Sequence, residues 1–271
     1  MPDTAAPRTP SQDPGGEDPI NDTPMPLLAH LTELRTRLLW SIVAFIACFG
    51  VCYFFSRNIY SFLAQPLADI LITQGANRRL IYTALYEAFF TYIKVAMFGA
   101  AFLSFPVIAT QVYMFVAPGL YRSEKKAFLP FLLATPVLFV GGAALAYYFV
   151  FPAAWRFFLS FESIDGAGGL PVQLEAKVSE YLGLVMKMIF AFGLAFQLPV
   201  LLTLLAKVGI VSSRGLKKYR RYAVVGMFVI AAVITPPDPL SMTSLALPLI
   251  LLYELSIFTA RWVEPKVDTD A

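Results

Sequence analysis

Residues 38–56 read LLWSIVAFIACFGVCYFFS, a run of 19 residues without a charge. A helix rises about 1.5 Å per residue, so this run spans about 28 Å, close to the roughly 30 Å hydrocarbon core of a bilayer. Of the 271 residues in the chain, 58% are hydrophobic and only 14% are charged, against roughly 25% in an average soluble domain. So few charges cannot cover the surface of a soluble fold, and the composition predicts a helical membrane protein.

Cutting the chain at its charged residues gives six apolar segments that could span a membrane. The last two hold only 16 and 15 uncharged residues, which predicts local bilayer thinning or an extension of the sixth helix to Trp262. The expected fold class is all-α, a polytopic membrane protein with six transmembrane helices and a short final pair. The spans are predicted at about residues 38–56, 88–117, 127–155, 179–208, 222–237 and 239–261.

The ends of the chain differ in composition from the six-helix domain predicted at residues 27–262. Residues 1–26 carry five acidic residues, one arginine and seven prolines. Such a composition cannot bury enough apolar surface to fold, so this stretch is predicted to be a disordered acidic cytoplasmic tail. Residues 263–271 are predicted to form a short cytoplasmic tail at the other end.

Lysine and arginine are distributed unevenly between the loops on the two sides of the predicted spans. Twelve fall on the side that holds the two chain termini and five on the other. Since positively charged loops stay inside, both termini are predicted to be cytoplasmic, in a bacterial inner membrane. A surface helix is expected after the first span, at about residues 58–71. Ahead of that span, a stripe of leucines predicts a helix on the cytoplasmic interface: Leu27, Leu31, Leu34 and Leu38.

Few side chains outside the spans or close to their ends could carry chemistry. Glu33 and Arg37 are spaced for an exposed i,i+4 ion pair, although Glu33 could instead present its carboxylate to a cationic partner. Glu124 is a lone carboxylate in a basic loop, and Phe115 lies one turn before the end of its helix. The sequence contains no Gly-rich phosphate loop, nucleophile and base pair or Cys/His cluster. We therefore expect neither an enzyme nor a cofactor or metal site.

Two polar side chains lie inside predicted spans, where they are costly and therefore informative. Gln197 precedes Pro199 in the middle of the fourth span, and an interhelical hydrogen bond is one interpretation of it. Glu254 lies in the sixth span, near enough to the cytoplasmic end to reach water. A proton- or ion-coupled small-solute transporter using both residues is the alternative function. A membrane scaffold without a substrate would leave Glu124 unexplained.

Four motifs stand out along the chain: HLTELRTR at 30–37, QVYMFVAPGLY at 111–121 with Glu124 after it, LPV at 198–200 and TPPD at 235–238. Together they closely resemble the TatC family, the receptor subunit of the twin-arginine translocase. The resemblance implies a concave, glove-like protein of the cytoplasmic membrane that exports folded proteins, driven by the proton-motive force. Implied partners are twin-arginine signal peptides, the single-helix subunits TatB and TatA, further copies of the chain and lipid, but no nucleic acid.

The same resemblance assigns roles to single residues. Glu33, Phe115 and Glu124 correspond to the patch that binds signal peptides, where carboxylates suit guanidinium groups and Phe115 can pack an apolar residue. Gln197 and Met242 replace a glutamate and a glutamine that are common in the family. The positions assigned to partner-helix contacts or to polar groups in the membrane are Gln197, Thr235, Met242 and Glu254. The positions assigned to structure are Pro66, Pro118, Pro236 and Asp238.

Overall fold

The computed structural model describes residues 27–73, 80–116, 125–162, 174–235 and 238–263. Within these ranges the chain is almost entirely helical, with no β-strand beyond an isolated bridge between Ile81 and Lys177. The expected all-α fold is confirmed. A π-helical turn, Ala146–Val150, joins α4 to α5. The α-helices are α1 (Leu27–Phe54), α2 (Ser56–Thr73), α3 (Glu87–Val116), α4 (Lys125–Leu145), α5 (Phe151–Leu159), α6 (Val178–Ala195), α7 (Leu198–Lys207), α8 (Ser213–Ile234) and α9 (Pro239–Val263).

Five segments of the described chain are long and apolar enough to cross a membrane. The remaining expected span corresponds to α8, which opens with five lysines and arginines among its first nine residues. Only residues 222–234 of α8 are free of charge, a length of about 20 Å against a core of roughly 30 Å. This helix could therefore cross only a locally thinned bilayer. The five segments are His30–Phe54, Glu87–Phe115, Leu129–Leu159, Val178–Lys207 and Pro239–Val263.

Hydrogen bonds to backbone carbonyls near Pro66 connect the surface helix α2 to the third and fourth spans. Pro66 has no N–H, so the carbonyl of Phe62 loses its usual partner within the helix. The Tyr147 hydroxyl donates to that carbonyl at 2.7 Å, and the Tyr181 hydroxyl donates to the next carbonyl, that of Leu63, at 3.0 Å. Tyr147 belongs to the π-helical turn, where an extra residue per turn changes the direction of side chains.

The fourth span lies at the centre of the fold, and half of its most apolar window is buried. It approaches the third span so closely that only glycine fits at two positions. A Cβ added to Gly142 would lie 2.5 Å from the carbonyl oxygen of Phe192, and one added to Gly193 would lie 2.6 Å from the ring of Phe139. Small residues let membrane helices cross in this way, and this crossing fixes α4 against α6.

Candidate functional site

One arginine connects the beginning of α1 with the end of α3. Arg37 donates from Nη2 to Glu33 Oε1 at 3.0 Å, and its Nη1 lies 3.2 Å from Gln111 Oε1 and 3.4 Å from Met114 Sδ. The side chains of Glu33 and Arg37 are only 19% and 26% exposed. This ion pair is therefore half-buried between two helices, whereas the sequence also allowed a fully exposed pair.

An aromatic contact lies one helical turn away. The His30 imidazole stacks on the Phe115 ring with 4.3 Å between centroids and 17° between planes. Both residues are half-buried. The structure thus brings Glu33 and Phe115, which are distant in the sequence, to one corner of the molecule. We call this corner the α1–α3 junction, and its members are His30, Glu33, Arg37, Gln111, Met114 and Phe115.

The periodicity of α1 explains which of its side chains reach α3. His30, Glu33 and Arg37 are spaced by three and four residues, so they share one face of the helix. They are the less exposed residues of this segment, because that face packs on α3. The leucine stripe, which is the more conspicuous pattern in the sequence, is not packed on α3 and stays exposed. Its exposed members are Leu31, Leu34 and Leu38.

Three residues assigned from the sequence lie outside the described residues: Pro118, Glu124 and Pro236. In the described chain α3 ends at Val116 and α4 begins at Lys125, the residue that follows Glu124. The contribution of Glu124 to the α1–α3 junction therefore stays a prediction from the sequence.

Gln197 connects three spans in the middle of the bundle. It is buried at the break between α6 and α7, where Pro199 occupies the first turn of α7. Its Nε2 donates to the carbonyl of Thr135 at 3.0 Å, and its Oε1 accepts from the Tyr113 hydroxyl at 3.4 Å. Both ends of the amide are thus engaged inside the chain, in an interhelical link that does not need a carboxylate.

Glu254 belongs to a separate contact between the last two helices. Its Oε1 lies 2.6 Å from Arg220 Nε in the basic first part of α8, and both side chains remain accessible. The transporter alternative depends on Glu254 and Gln197 lining one central path. Because these two residues are engaged with different partners in different parts of the fold, that alternative is not favoured.

The connection between α8 and α9 uses its polar side chains to end one helix and begin the next. Thr235 is buried, and its hydroxyl donates to the carbonyl of Ala231 at 2.9 Å. Asp238 is also buried, and its Oδ2 accepts from the Ser241 N–H at 2.6 Å, an N-cap of α9. Met242, in the first turn of α9, packs on the core and is only partly buried.

Sequence reasoning missed the side chains that complete these contacts. Gln111 and Met114 hold Arg37, while Tyr113 and Thr135 hold Gln197. One signal was available for Tyr113, because a polar group inside a span requires a partner. The spacing of Gln111, Met114 and Phe115 also places them on one face of α3, close to its end.

Comparison with known proteins decides the family. The family model described as Sec-independent protein translocase protein (TatC) matches residues 29–248. The chain belongs to the TatC family. The TatC protein of Magnetococcus marinus is 52% identical over 241 residues, which cover 89% of this chain and 86% of that protein. The TatC protein of Escherichia coli is 40% identical over 247 residues, with 91% and 92% covered.

A solved structure agrees with this family. The crystal structure of a twin-arginine translocase receptor TatC matches the fold with a TM-score of 0.72 at 37% identity. The match covers 86% of this chain and 99% of the solved one. The chain is thus a multi-pass TatC membrane protein, which makes it a translocase component and not an enzyme.

Proposed function

We propose that this TatC protein is the core receptor subunit of a twin-arginine translocase. It binds the twin-arginine signal peptides of folded precursors and, with TatB and TatA, exports these precursors across the cytoplasmic membrane, driven by the proton-motive force. Family membership and the similarity to a solved translocase receptor support this function. The observation that carries it is the α1–α3 junction, where the Glu33–Arg37 ion pair and the stack of His30 on Phe115 lie one helical turn apart.

In the proposed complex, Glu33 holds a signal arginine through its second carboxylate oxygen. Arg37 uses Oε1 of Glu33, while Oε2 has no hydrogen-bond partner among the described residues. A carboxylate can accept several hydrogen bonds, and those from guanidinium groups are strong. The apolar residue that follows the two arginines of the signal peptide packs on the Phe115 ring, on the face that His30 does not cover. The resemblance to the family adds Glu124 as a second carboxylate.

Binding of one signal peptide in two versions tests this function. The chain is reconstituted in lipid nanodiscs and titrated with a labelled peptide that carries either paired arginines or paired lysines. Lysine keeps the charge but cannot form the planar two-pronged contact. We expect about tenfold weaker binding of the lysine version, the equivalent of about 1.4 kcal/mol. Equal affinity for the two versions would contradict the proposal.

The surface of α8 and α9 is the proposed site for the single helix of TatB or TatA. The partly buried Met242 lies beside the connection between these helices, next to the buried Thr235 that ends α8. The apolar part of α8 is too short to span an ordinary bilayer. A partner helix would cover the large apolar side chains that both helices leave exposed. Gln197 is left out of this surface, because its amide is engaged internally. The exposed side chains include Val225, Val229, Val233, Leu247, Leu251 and Phe258.

Site-specific photo-crosslinking tests the partner surface. A photoreactive residue at Val233 or Met242 is expected to crosslink to TatB or TatA in membranes that export precursors. Val137 is the matched control, since it is 71% exposed on α4 and also faces lipid. If Val137 crosslinks as strongly as Val233 and Met242, or if none of them does, the partner helix does not lie on this surface.

We further propose that both termini are cytoplasmic. The unequal distribution of lysine and arginine supports this orientation, and the basic start of α8 belongs to the cytoplasmic side. A single cysteine at exposed Ser160 is expected to react with an impermeant maleimide in intact cells, and one at exposed Tyr219 only after lysis. The background has Cys48 and Cys52 replaced by alanine. The reverse pattern would invert the orientation.

The exposed side of α1 supports association with a second copy of the chain or with lipid. Only 6% of the most apolar window in this span is buried, because α1 packs almost solely on α3. Large apolar side chains therefore remain uncovered along its length: Leu39, Ile42, Val43 and Ile46.

A further inference from the structure

A cavity lies where α3 and α6 begin, at the opposite end of α3 from the α1–α3 junction. Its volume is about 360 Å³ and it is open on one side. The backbone bridge between Ile81 and Lys177 holds the two helix starts together beside it. We call it the Lys94 cavity. Its lining residues are Ala84, Tyr86, Glu87, Phe90, Thr91, Lys94, Lys177 and Ser179.

The carboxylate in this cavity is already engaged by the chain. Glu87 is buried, and its Oε2 accepts from the N–H groups of Thr83 at 2.8 Å and Ala84 at 3.3 Å. Its Oε1 accepts from the N–H of Ser179 at 3.3 Å. Glu87 therefore connects the start of α3 to the start of α6, and within the described chain it forms no ion pair with a lysine.

The two lysines of the cavity have no close ion-pair partner among the described residues, while the Glu87 carboxylate in the same lining is engaged by backbone N–H groups. Lys94 is exposed, and among the described residues it has neither an ion-pair partner nor a hydrogen-bond acceptor. Lys177 lies 3.9 Å from Glu180, which is a long contact to a carboxylate that is itself 78% exposed. Such an exposed pair contributes little. The cavity thus presents two ammonium groups that could hold an anion.

The position of Lys94 along its helix places the cavity at the edge of the bilayer. Lys94 lies seven residues after Glu87, about 10 Å along the axis, and on the same face. Helical side chains lean toward the N-terminus, so a long lysine stem can carry its charge back toward the headgroups. Tyr86 and Phe90, exposed by 67% and 50%, supply the aromatic residues that are typical of a membrane interface.

We propose that the Lys94 cavity binds the phosphate of an anionic phospholipid. Lys94 and Lys177 pair with the phosphate oxygens, the exposed Phe90 ring packs beside the first acyl carbons, and Tyr86 lies at the headgroup. A charged lysine within an apolar span requires a partner, and at this depth lipid phosphate is the most abundant anion. A zwitterionic lipid fits less well, because its own cation repels the two lysines.

Lipid titration of the full-length chain in detergent, followed by native mass spectrometry, tests this site. The three probes are phosphatidylglycerol, phosphatidylcholine and inorganic phosphate. We expect tightest binding for phosphatidylglycerol, and an affinity about fivefold weaker after either Lys94→Gln or Lys177→Gln. The double variant should lose about 25-fold. Lys187→Gln is the matched control, since Lys187 is another exposed lysine within a span but donates to the carbonyl of Val233, outside the cavity.

Each alternative outcome overturns a defined part of the proposal. Unchanged phosphatidylglycerol affinity in the double variant would exclude the cavity as the site. An equal loss in Lys187→Gln would show that charge anywhere on the spans is sufficient. Equal binding of phosphatidylcholine would exclude selection for an anionic headgroup. Competition by millimolar inorganic phosphate would identify a site for free oxyanions instead of lipid.

Discussion

Glu33→Gln is expected to weaken the binding of a twin-arginine signal peptide by about 1.5 to 3 kcal/mol, because a charge-assisted hydrogen bond is lost. This corresponds to roughly a 10- to 150-fold higher Kd. The contacts of the α1–α3 junction are expected to increase this loss of affinity. Once Glu33 is neutral, Arg37 is still held by Gln111 and Met114, and its unpaired charge repels the incoming arginine. Glu33→Lys should be worse still, since it adds a second repulsive charge.

Arg37→Gln separates the two possible roles of Glu33. If Glu33 binds the arginine of the peptide, removal of the competing Arg37 guanidinium should leave the affinity for the peptide unchanged or raise it. If the only role of Glu33 is to pair with Arg37, Glu33→Gln and Arg37→Gln should weaken peptide binding equally. Thermal stability of the same preparations shows whether the contact between α1 and α3 survives each substitution.

Glu124→Gln is also expected to weaken the binding of the signal peptide, through a contact separate from that of Glu33. The matched control is Glu254→Gln, which neutralises another accessible carboxylate beside an arginine, on α9 instead of α1. All variants are titrated with the paired-arginine and paired-lysine peptides. If Glu33→Gln and Glu124→Gln discriminate between the two peptides as well as the wild type does, these carboxylates do not form the receptor site.

The second large effect concerns stability. Gly142→Ala is expected to destabilise the chain by about 1 to 3 kcal/mol, because the nearest atom that the new methyl group would meet belongs to the backbone and cannot rotate away as a side chain can. It would lie 2.5 Å from the carbonyl oxygen of Phe192 and 2.9 Å from the ring of Phe196. The helices α4 and α6 must separate to accept it, which also strains the link between Thr135 and Gln197.

The neighbouring glycine supplies the control for this prediction. A Cβ added to Gly141 meets nothing within 4 Å, and Gly141 is exposed on the same helix. Gly141→Ala should therefore be neutral or gain up to about 1 kcal/mol from better helix propensity. Unfolding of the purified variants by heat in detergent measures the difference. Equal stability of the two alanine variants would show that α4 and α6 do not cross as closely as described.

The sequence by itself determined the class of protein and the approximate course of the chain. Lipid offers no hydrogen bonds to the backbone, so each long apolar run must become a helix whatever its neighbours do. The segments 88–117 and 239–261, which the sequence marks as apolar, overlap α3 and α9. The family was readable as well, since its motifs are local.

Only the tertiary structure decided which side chains meet. The leucine stripe of α1 is its more conspicuous pattern, yet the polar face with Glu33 packs on α3. In a bilayer apolar side chains are already in an apolar solvent, so hydrophobic periodicity does not choose the packed face. Gly141 and Gly142 are likewise indistinguishable in the sequence. The crossing of α4 with α6 leaves one exposed and the other against Phe192, and that crossing depends on both helices at once.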